Sequence, residues 1–301
     1  MKRSIIERLF WNPNYFTIAI RKKKDEKDSL FNNRYFYSEL ELKSIDNYWK
    51  ADPILVQSDE KTYLFYEACH NGKGTIEVVE ISDEKGVSSP TTVLEKKYHL
   101  SYPFVFSDNS KWYMIPESSE VDRVDLYIAT EFPYKWEKVC TLLDEHAVDT
   151  TIKKVKDRYL MVTFIPIAGS EEVMLKAYWL KLIDTNNISL DEIKVDDFEP
   201  LKVRGAGGFL EKNGKLFRPA QINGINSYGE GIAIKEIEVN EKEYKEKNIF
   251  DIYPENIKVN NYRYDGLHTY TETERYEAID IRCSFFDLLK PIKKIIAILK
   301  R

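Results

Sequence analysis

Residues 50–67, KADPILVQSDEKTYLFYE, set the pattern of the chain. An acid and a proline (Asp52, Pro53) open an apolar run through Ile54 and Val56, a polar turn covers 58–61, and a second aromatic run (Tyr63, Phe65) ends on Glu67. Alternation with a period of two on both sides of a short polar turn predicts a β-hairpin. The same layout returns at 102–117, 149–163 and 207–221, so the starts at 52, 102, 149 and 207 fall 50, 47 and 58 positions apart. A period near 40–50 residues is that of a propeller blade, a unit that cannot bury both faces alone and therefore stacks on its copies. Because the second strand of a hairpin returns to the end where the first began, Asp52 with Glu67, and Tyr102 with Glu117, are predicted to share one face.

Outward from the repeats, 265–270 and 276–281 form a weaker fifth hairpin, and the alternating run 15–21 lacks a partner nearby in sequence. The expected fold is therefore all-β: a five-bladed β-propeller over 10–282, closed by an N-terminal strand at 15–21, with 35–42 entering the first blade. From 283 to 301, Phe285, Leu288, Leu289, Ile292, Ile295, Ile296 and Leu299 recur at helical spacing among lysines. That pattern predicts a short basic amphipathic C-terminal helix, either a cap on the ring or a peripheral membrane contact.

Composition narrows the function classes. Tyr 20 and Phe 15 against Gly 12 favour strands and cross-strand packing. A net charge of −5 with charges of both signs spread along the chain offers no basic field for nucleic acid, so no nucleic-acid partner is expected. Three well-separated cysteines give neither a disulfide framework nor metal-ligand spacing. The first residues are interrupted by Glu7 and Arg8, unlike a signal peptide. A cytoplasmic location, extending to the inner face of the membrane through the basic helix, is the expectation.

The chemistry-bearing residues lie at strand starts and ends. Asp52 sits before Pro53 at the head of a strand, as a general base, a sugar-hydroxyl acceptor or an acid satisfying backbone amides. Glu67 and Glu117 close aromatic runs, and Asp149 heads the third repeat. Carboxylates flanking a cleft are what glycosidic chemistry needs, one to protonate the leaving oxygen and another to activate water or stabilise the oxocarbenium-like state. Asp52, Glu117 and Asp149 are the catalytic candidates. Glu67, His99, Tyr102, Arg218, Gln221 and His268 are the substrate-binding ones, with Arg218 and Gln221 able to fork hydrogen bonds onto hydroxyl or anionic groups. No cofactor is predicted and no metal-ligand set stands out, although a bound divalent cation is one way to offset so many acids.

The Ala51-Asp52-Pro53 start and the Tyr63-Leu64-Phe65-Tyr66-Glu67 strand resemble the first blade of the glycoside hydrolase family 43 superfamily. A closer resemblance is to the propeller at the N-terminus of plant glucosamine inositolphosphorylceramide transferases and in bacterial surface-polysaccharide clusters. It rests on Ser101-Tyr102-Pro103-Phe104, Ile115-Pro116-Glu117, Val148-Asp149, Gly207-Gly208, Arg218-Pro219-Ala220-Gln221, Tyr228-Gly229 and His268-Thr269-Tyr270. The resemblance implies that Asp52 stands where the hydrolases keep their general base. Tyr102 departs from it, since the hydrolases commonly carry another Asp there. The implied function is a carbohydrate-active propeller in surface-polysaccharide or glycolipid biosynthesis, with glycosyl-transfer or glycosidase-like chemistry on a sugar, glycan or nucleotide-sugar substrate. The alternative is a non-catalytic glycan- or partner-binding propeller.

Overall fold

The computed structural model describes residues 11–24, 35–39, 49–184, 187–224, 227–259, 263–286, 288–289 and 291. Among them the chain is an all-β propeller of antiparallel meanders, with two short 3-10 turns at Ser119–Val121 and Pro254–Asn256. The first meander is Trp49–Ser58, Lys61–His70 and Lys73–Ser82, flanked by Gly86–Val87 and Thr91–Leu94. The second is Ser101–Asp108, Lys111–Ser118, Arg123–Glu131 and Lys135–Leu143. An eight-stranded sheet then joins two meanders edge to edge. In it Val148–Val155 leads to Asn187–Val195, which pairs in parallel with Glu243–Ile252, the outer strand of the meander led by Leu210–Lys212.

Each leading strand lies at the edge of its sheet and packs against the leading strands of other meanders rather than pairing with them. Apolar side chains fill the spaces between sheets, and the clusters run in a circle. Ile54, Phe65, Phe104, Met114, Ile152 and Met161 join the first three meanders. Val162, Phe164, Ile237 and Tyr244 join the third to the fourth. Ile232, Ile234, Leu267 and Ile279 continue to the last sheet, and Ile18, Ala278, Leu64 and Tyr66 return to the first. Buried apolar area is the dominant stabilising term, so closing this circle buries the facing sides of neighbouring meanders.

The last sheet has the order Ile257–Val259, Tyr35–Glu39, Trp11–Lys22, Tyr276–Phe286, Tyr264–Glu272. Trp11–Lys22 pairs antiparallel with Tyr276–Phe286 along its whole length, so the N-terminal strand closes the ring as its lack of a local partner predicts. Two expectations are corrected. Tyr35–Glu39 enters this last sheet, between Trp11–Lys22 and a parallel partner at Ile257–Val259, and not the first blade. The boundary at 282/283 also moves, because the final strand continues to Phe286 where a helix was expected to have begun. Leu288 and Leu289 follow in an exposed turn, and apart from 291 the remainder of the expected helix lies outside the described residues.

The repeat start is a backbone device. Opposite Glu67 and Phe65 stand Ala51 and Ile54, so two residues of the leading strand face one of its partner; the same shift occurs at 101/104, 148/151 and 267/270. Each is a β-bulge, and at three of them the bulged residue is left-handed: Asp52 (φ 53°), Tyr102 (φ 41°) and Asp149 (φ 49°). The fourth start, Gly207, has φ 127°, and a β-carbon there would stand 1.9 Å from the Tyr270 carbonyl oxygen. Only glycine fits such an approach. Gly207→Ala is expected to destabilise the protein by about 3 kcal/mol or more, from strain plus overpacking against backbone. Gly214→Ala, in an open turn with φ 72°, should cost only about 1 kcal/mol. Urea unfolding of the two variants makes the comparison, and equal midpoints would show that the approach is not tight.

Candidate functional site

The four bulges meet around the ring axis and turn their backbone N–H groups sideways; at Asp52, Tyr102 and Asp149 the acceptor comes from a neighbouring meander, and at Thr269 from the adjacent strand of its own sheet. Asp52 N donates to Asp280 Oδ2 (3.0 Å), Tyr102 N to Asp52 Oδ2 (3.1 Å), and Asp149 N to Glu117 Oε2 (3.2 Å). Thr269 N donates to Asp280 Oδ1 (2.6 Å) and Thr269 Oγ1 to Asp52 Oδ1 (2.9 Å). The Tyr102 hydroxyl meets Thr151 Oγ1 (2.8 Å) and accepts from Gly207 N (3.0 Å), which ties in the fourth start. These residues form a buried polar girdle across the axis, with Asp52 3%, Asp149 1% and Tyr102 0% exposed.

On one side of the girdle is a cavity of about 180 Å³, among whose lining residues are Asp52, Glu67, Glu117, His99, Arg204 and His268, with Phe16, Trp49 and Tyr228 as aromatic walls. His268 Nδ1 lies 2.9 Å from Asp280 Oδ2 and 3.2 Å from Asp52 Oδ1, and its Nε2 meets the Tyr228 hydroxyl. Burial alone would push this imidazole down, but Asp280 and Asp52 outweigh it and hold the pKa at about 9. Burial raises Asp52 to about 7 despite the attraction of His268, and raises Asp149 to about 7 despite that of Arg204. Glu67 Oε1 accepts from Trp49 Nε1 (3.3 Å) and His99 Nε2 (3.1 Å), a bond that raises the His99 pKa. Glu117 accepts from Ser119 Oγ (2.8 Å) and faces Arg204 Nη2 at 3.7 Å. The cavity thus joins carboxylates from two meanders to an imidazolium from the last sheet and a guanidinium from the fourth.

The predicted residues separate into three groups. Asp52, Glu67, His99, Glu117 and His268 line the cavity. Tyr102, Asp149 and Gln221 lie in the girdle beside it: Asp149 Oδ2 accepts from Arg204 Nε (2.5 Å) and Gln221 Nε2 (3.4 Å), and the same amide donates to Gly205 O (2.7 Å). Arg218 is elsewhere, inside the fourth meander and away from the cavity, donating to Glu246 Oε2 (2.7 Å) with its guanidinium over Phe164 (5.0 Å). Strand parity decides this. Phe217, Arg218 and Pro219 pair with Glu236, Lys235 and Ile234, and the side of the strand that Arg218 takes is packed against the third meander.

Arg204, Trp49, Tyr228 and Phe16 were not among the candidates. Trp49, His99 and Arg204 each stand three residues before a repeat start (52, 102, 207), and all three point into the cavity. That shared offset is a signal present in the sequence. The remaining residue at this offset, His146, instead pairs with Asp122 on the surface (2.8 Å).

Two groups among the described residues bring metal-ligating atoms close together, Glu67/Cys69/His99 and Asp52/His268/Asp280. In each, the imidazole already has polar partners. Gly74 N donates to His99 Nδ1 (3.0 Å), which leaves the ring proton on Nε2, toward Glu67. His268 is held protonated between its two acids.

The His268 cluster makes stability pH-dependent. A histidine whose folded pKa is about 9 and whose unfolded pKa is about 6.5 contributes stability that is complete below pH 6.5 and lost as pH rises through 9. The loss over that window should be on the order of 3 kcal/mol, and His268→Gln should flatten it. Denaturant titrations from pH 6 to 9.5 check this, and an equally steep decline in the variant would assign the effect elsewhere.

The family model for "Glucosamine inositolphosphorylceramide transferase 1, N-terminal" matches residues 38–276. The chain is 29% identical over 215 residues to glucosamine inositolphosphorylceramide transferase 1 of Arabidopsis thaliana, covering 66% of this chain and 27% of that protein. It is 28% identical over 204 residues to the Oryza sativa subsp. indica protein of the same name, covering 65% and 27%. The chain therefore spans about a quarter of the length of the curated relatives it matches. Among solved structures, the fold is similar to the α-L-arabinofuranosidase PaAbf62A from Podospora anserina (TM-score 0.62, 8% identity, 83% of this chain and 96% of that one). It is also similar to Zg3597, a family 117 glycoside hydrolase of Zobellia galactanivorans (TM-score 0.54, 9% identity, 89% and 90%). At these identities the structures speak for the fold alone. The family match extends over most of the propeller, and the chain belongs to the family of glucosamine inositolphosphorylceramide transferase 1 N-terminal regions.

Proposed function

We propose that the cavity beside the girdle is a sugar site, and that the protein is a five-bladed, carbohydrate-active propeller of surface-glycan or glycolipid assembly working at a glycosidic or glycosyl-phosphate bond. The eight-stranded sheet supplies two of the five blades in this reading. One observation carries it: carboxylates from two meanders, Asp52 and Glu67 from the first and Glu117 from the second, converge with His268 and Arg204 on a single cavity. A volume of about 180 Å³ is room for roughly six water molecules at about 30 Å³ each, the scale of one sugar ring. Trp49, Phe16 and Tyr228 offer apolar faces to such a ring and the acids offer acceptors to its hydroxyls. Asp52, titrating near neutrality, is suited to give or take the proton at the leaving or attacking oxygen. Glu117, beside Arg204, supplies negative charge opposite a developing oxocarbenium ion. The relatives are named as transferases for glucosamine and inositolphosphorylceramide, which makes amino sugars and glycosylated sphingolipid headgroups the first compounds to try.

A second reading, recognition without turnover, is favoured by two observations. The fourth repeat start is Gly207 and brings no side chain to the site, and both Asp52 oxygens already accept hydrogen bonds from Tyr102 N and Thr269 Oγ1.

Asp52→Asn and Glu117→Gln keep shape and remove charge. With nucleotide sugars, aryl glycosides and glycosylated lipids as probes, each should lower turnover by roughly a hundredfold or more while binding persists. Under the second reading no turnover exists to lose, and affinity alone drops by about 1–3 kcal/mol for each lost hydrogen bond to a charged group. If neither turnover nor binding changes in either variant, the cavity is not the site.

A further inference from the structure

The girdle divides the axis. Asp52, Tyr102 and Asp149 lie between the carboxylate cavity and a second one of about 190 Å³, among whose lining residues are Ile54, Phe104, Ile152, Leu210, Lys153 and Glu272. Beyond that, where the leading strands end in their hairpin turns, a cleft of about 550 Å³ opens at the far end of the ring. Ligand sites commonly measure roughly 300–1,000 Å³, so this cleft falls in the range that the carboxylate cavity does not reach.

We propose that this far cleft is a second carbohydrate-binding site, taking a neutral oligosaccharide by stacking a sugar ring on Trp112. The Trp112 indole is backed by Phe132, the two rings stacked at 4.2 Å and 17°. One face is thus occupied by protein while the residue lines the cleft, which fixes the ring before any ligand arrives and lowers the ordering cost of binding. Phe106 extends the apolar wall and is held by its own stack on Tyr113 (5.3 Å, 18°). Around this platform stand Gln57, Ser107, Asp59 and Glu274. Among the described residues, the carboxylates of Asp59 and Glu274 and the indole N–H of Trp112 have no hydrogen-bond or ion-pair partner. An aromatic platform rimmed by open acceptors and an open donor matches a ring with apolar C–H faces and equatorial hydroxyls. The acids on the rim disfavour uronates and phosphorylated ligands. The site is separate from the one beside Asp52 and stands whether or not that one turns over.

The test is calorimetric titration of the full chain with cellotetraose, chitotetraose and tetragalacturonate. Saturable binding is expected for at least one of the two neutral tetrasaccharides and none for the acidic one. Affinity should weaken at least tenfold in Trp112→Ala and severalfold in Gln57→Ala, a surface change that leaves the Trp112–Phe132 stack in place. It should be unchanged in Asp52→Asn and Glu117→Gln. The proposal is overturned if no neutral oligosaccharide binds, if the acidic one binds equally well, or if binding is lost in Asp52→Asn and kept in both cleft variants.

Discussion

A backbone N–H at the head of a buried strand must find an acceptor, and in this protein the acceptor belongs to the next sheet. That single requirement organises the axis. The left-handed bulges at Asp52, Tyr102 and Asp149 turn their amides out of their own ladders, and Asp280, Asp52 and Glu117 receive them. An unpaired amide in this setting costs roughly 1–3 kcal/mol, so each sheet relies on its neighbour's acid. The acids are then needed twice, once as backbone acceptors and once as the charged face of a cavity. Asp280 shows the extreme: it serves Asp52 N, Thr269 N and His268 together.

The same economy explains the electrostatics. Burial raises Asp52 and Asp149 toward neutrality, and His268 and Arg204 are the cations that keep several acids tolerable in one small volume. A scaffold could meet its amides with neutral groups, as Thr150 and Thr163 do for each other's hydroxyls at 2.7 Å. The use of acids at the axis is what sets the site apart from the rest of the ring.

Much of the ring was legible in the sequence because it is local. Alternation, polar turns and the recurring hairpin give the leading strand and its partner in each meander, and the orphan strand before them gives the closure. What escaped is non-local. Tyr35–Glu39 is placed by Ile257–Val259, more than two hundred residues away, and nothing in its own composition names that partner. Arg218 ends an inner hairpin, which in the sequence is the place of a site residue, but Glu246 and Phe164 hold it inside a meander. Left-handed Asp52, Tyr102 and Asp149 have no local marker either, since only the shift of register against the partner strand shows the bulge. Arg204 sat in a loop without periodicity. The site was therefore half visible: the acids and His268 by their place in the repeat, Arg204 by nothing in its loop except its offset from the fourth start.

The pairing of Trp11 with Phe286 has a consequence for how the protein can be cut and joined. These two positions are direct cross-strand neighbours, so the order of the meanders along the chain is a matter of where the circle happens to be opened. A short loop from 286 to 11 would make the circle covalent, and new ends could then be placed at the open turn of Gly214, far from the carboxylates. The pair also lies beyond the Asp280 end of the final strand, on the side where Tyr264 meets Cys283, away from the turn at 272–277 that borders the far cleft. Anything tethered ahead of Trp11 or behind Phe286 would start from the same end of this sheet, and one short anchor would serve either end.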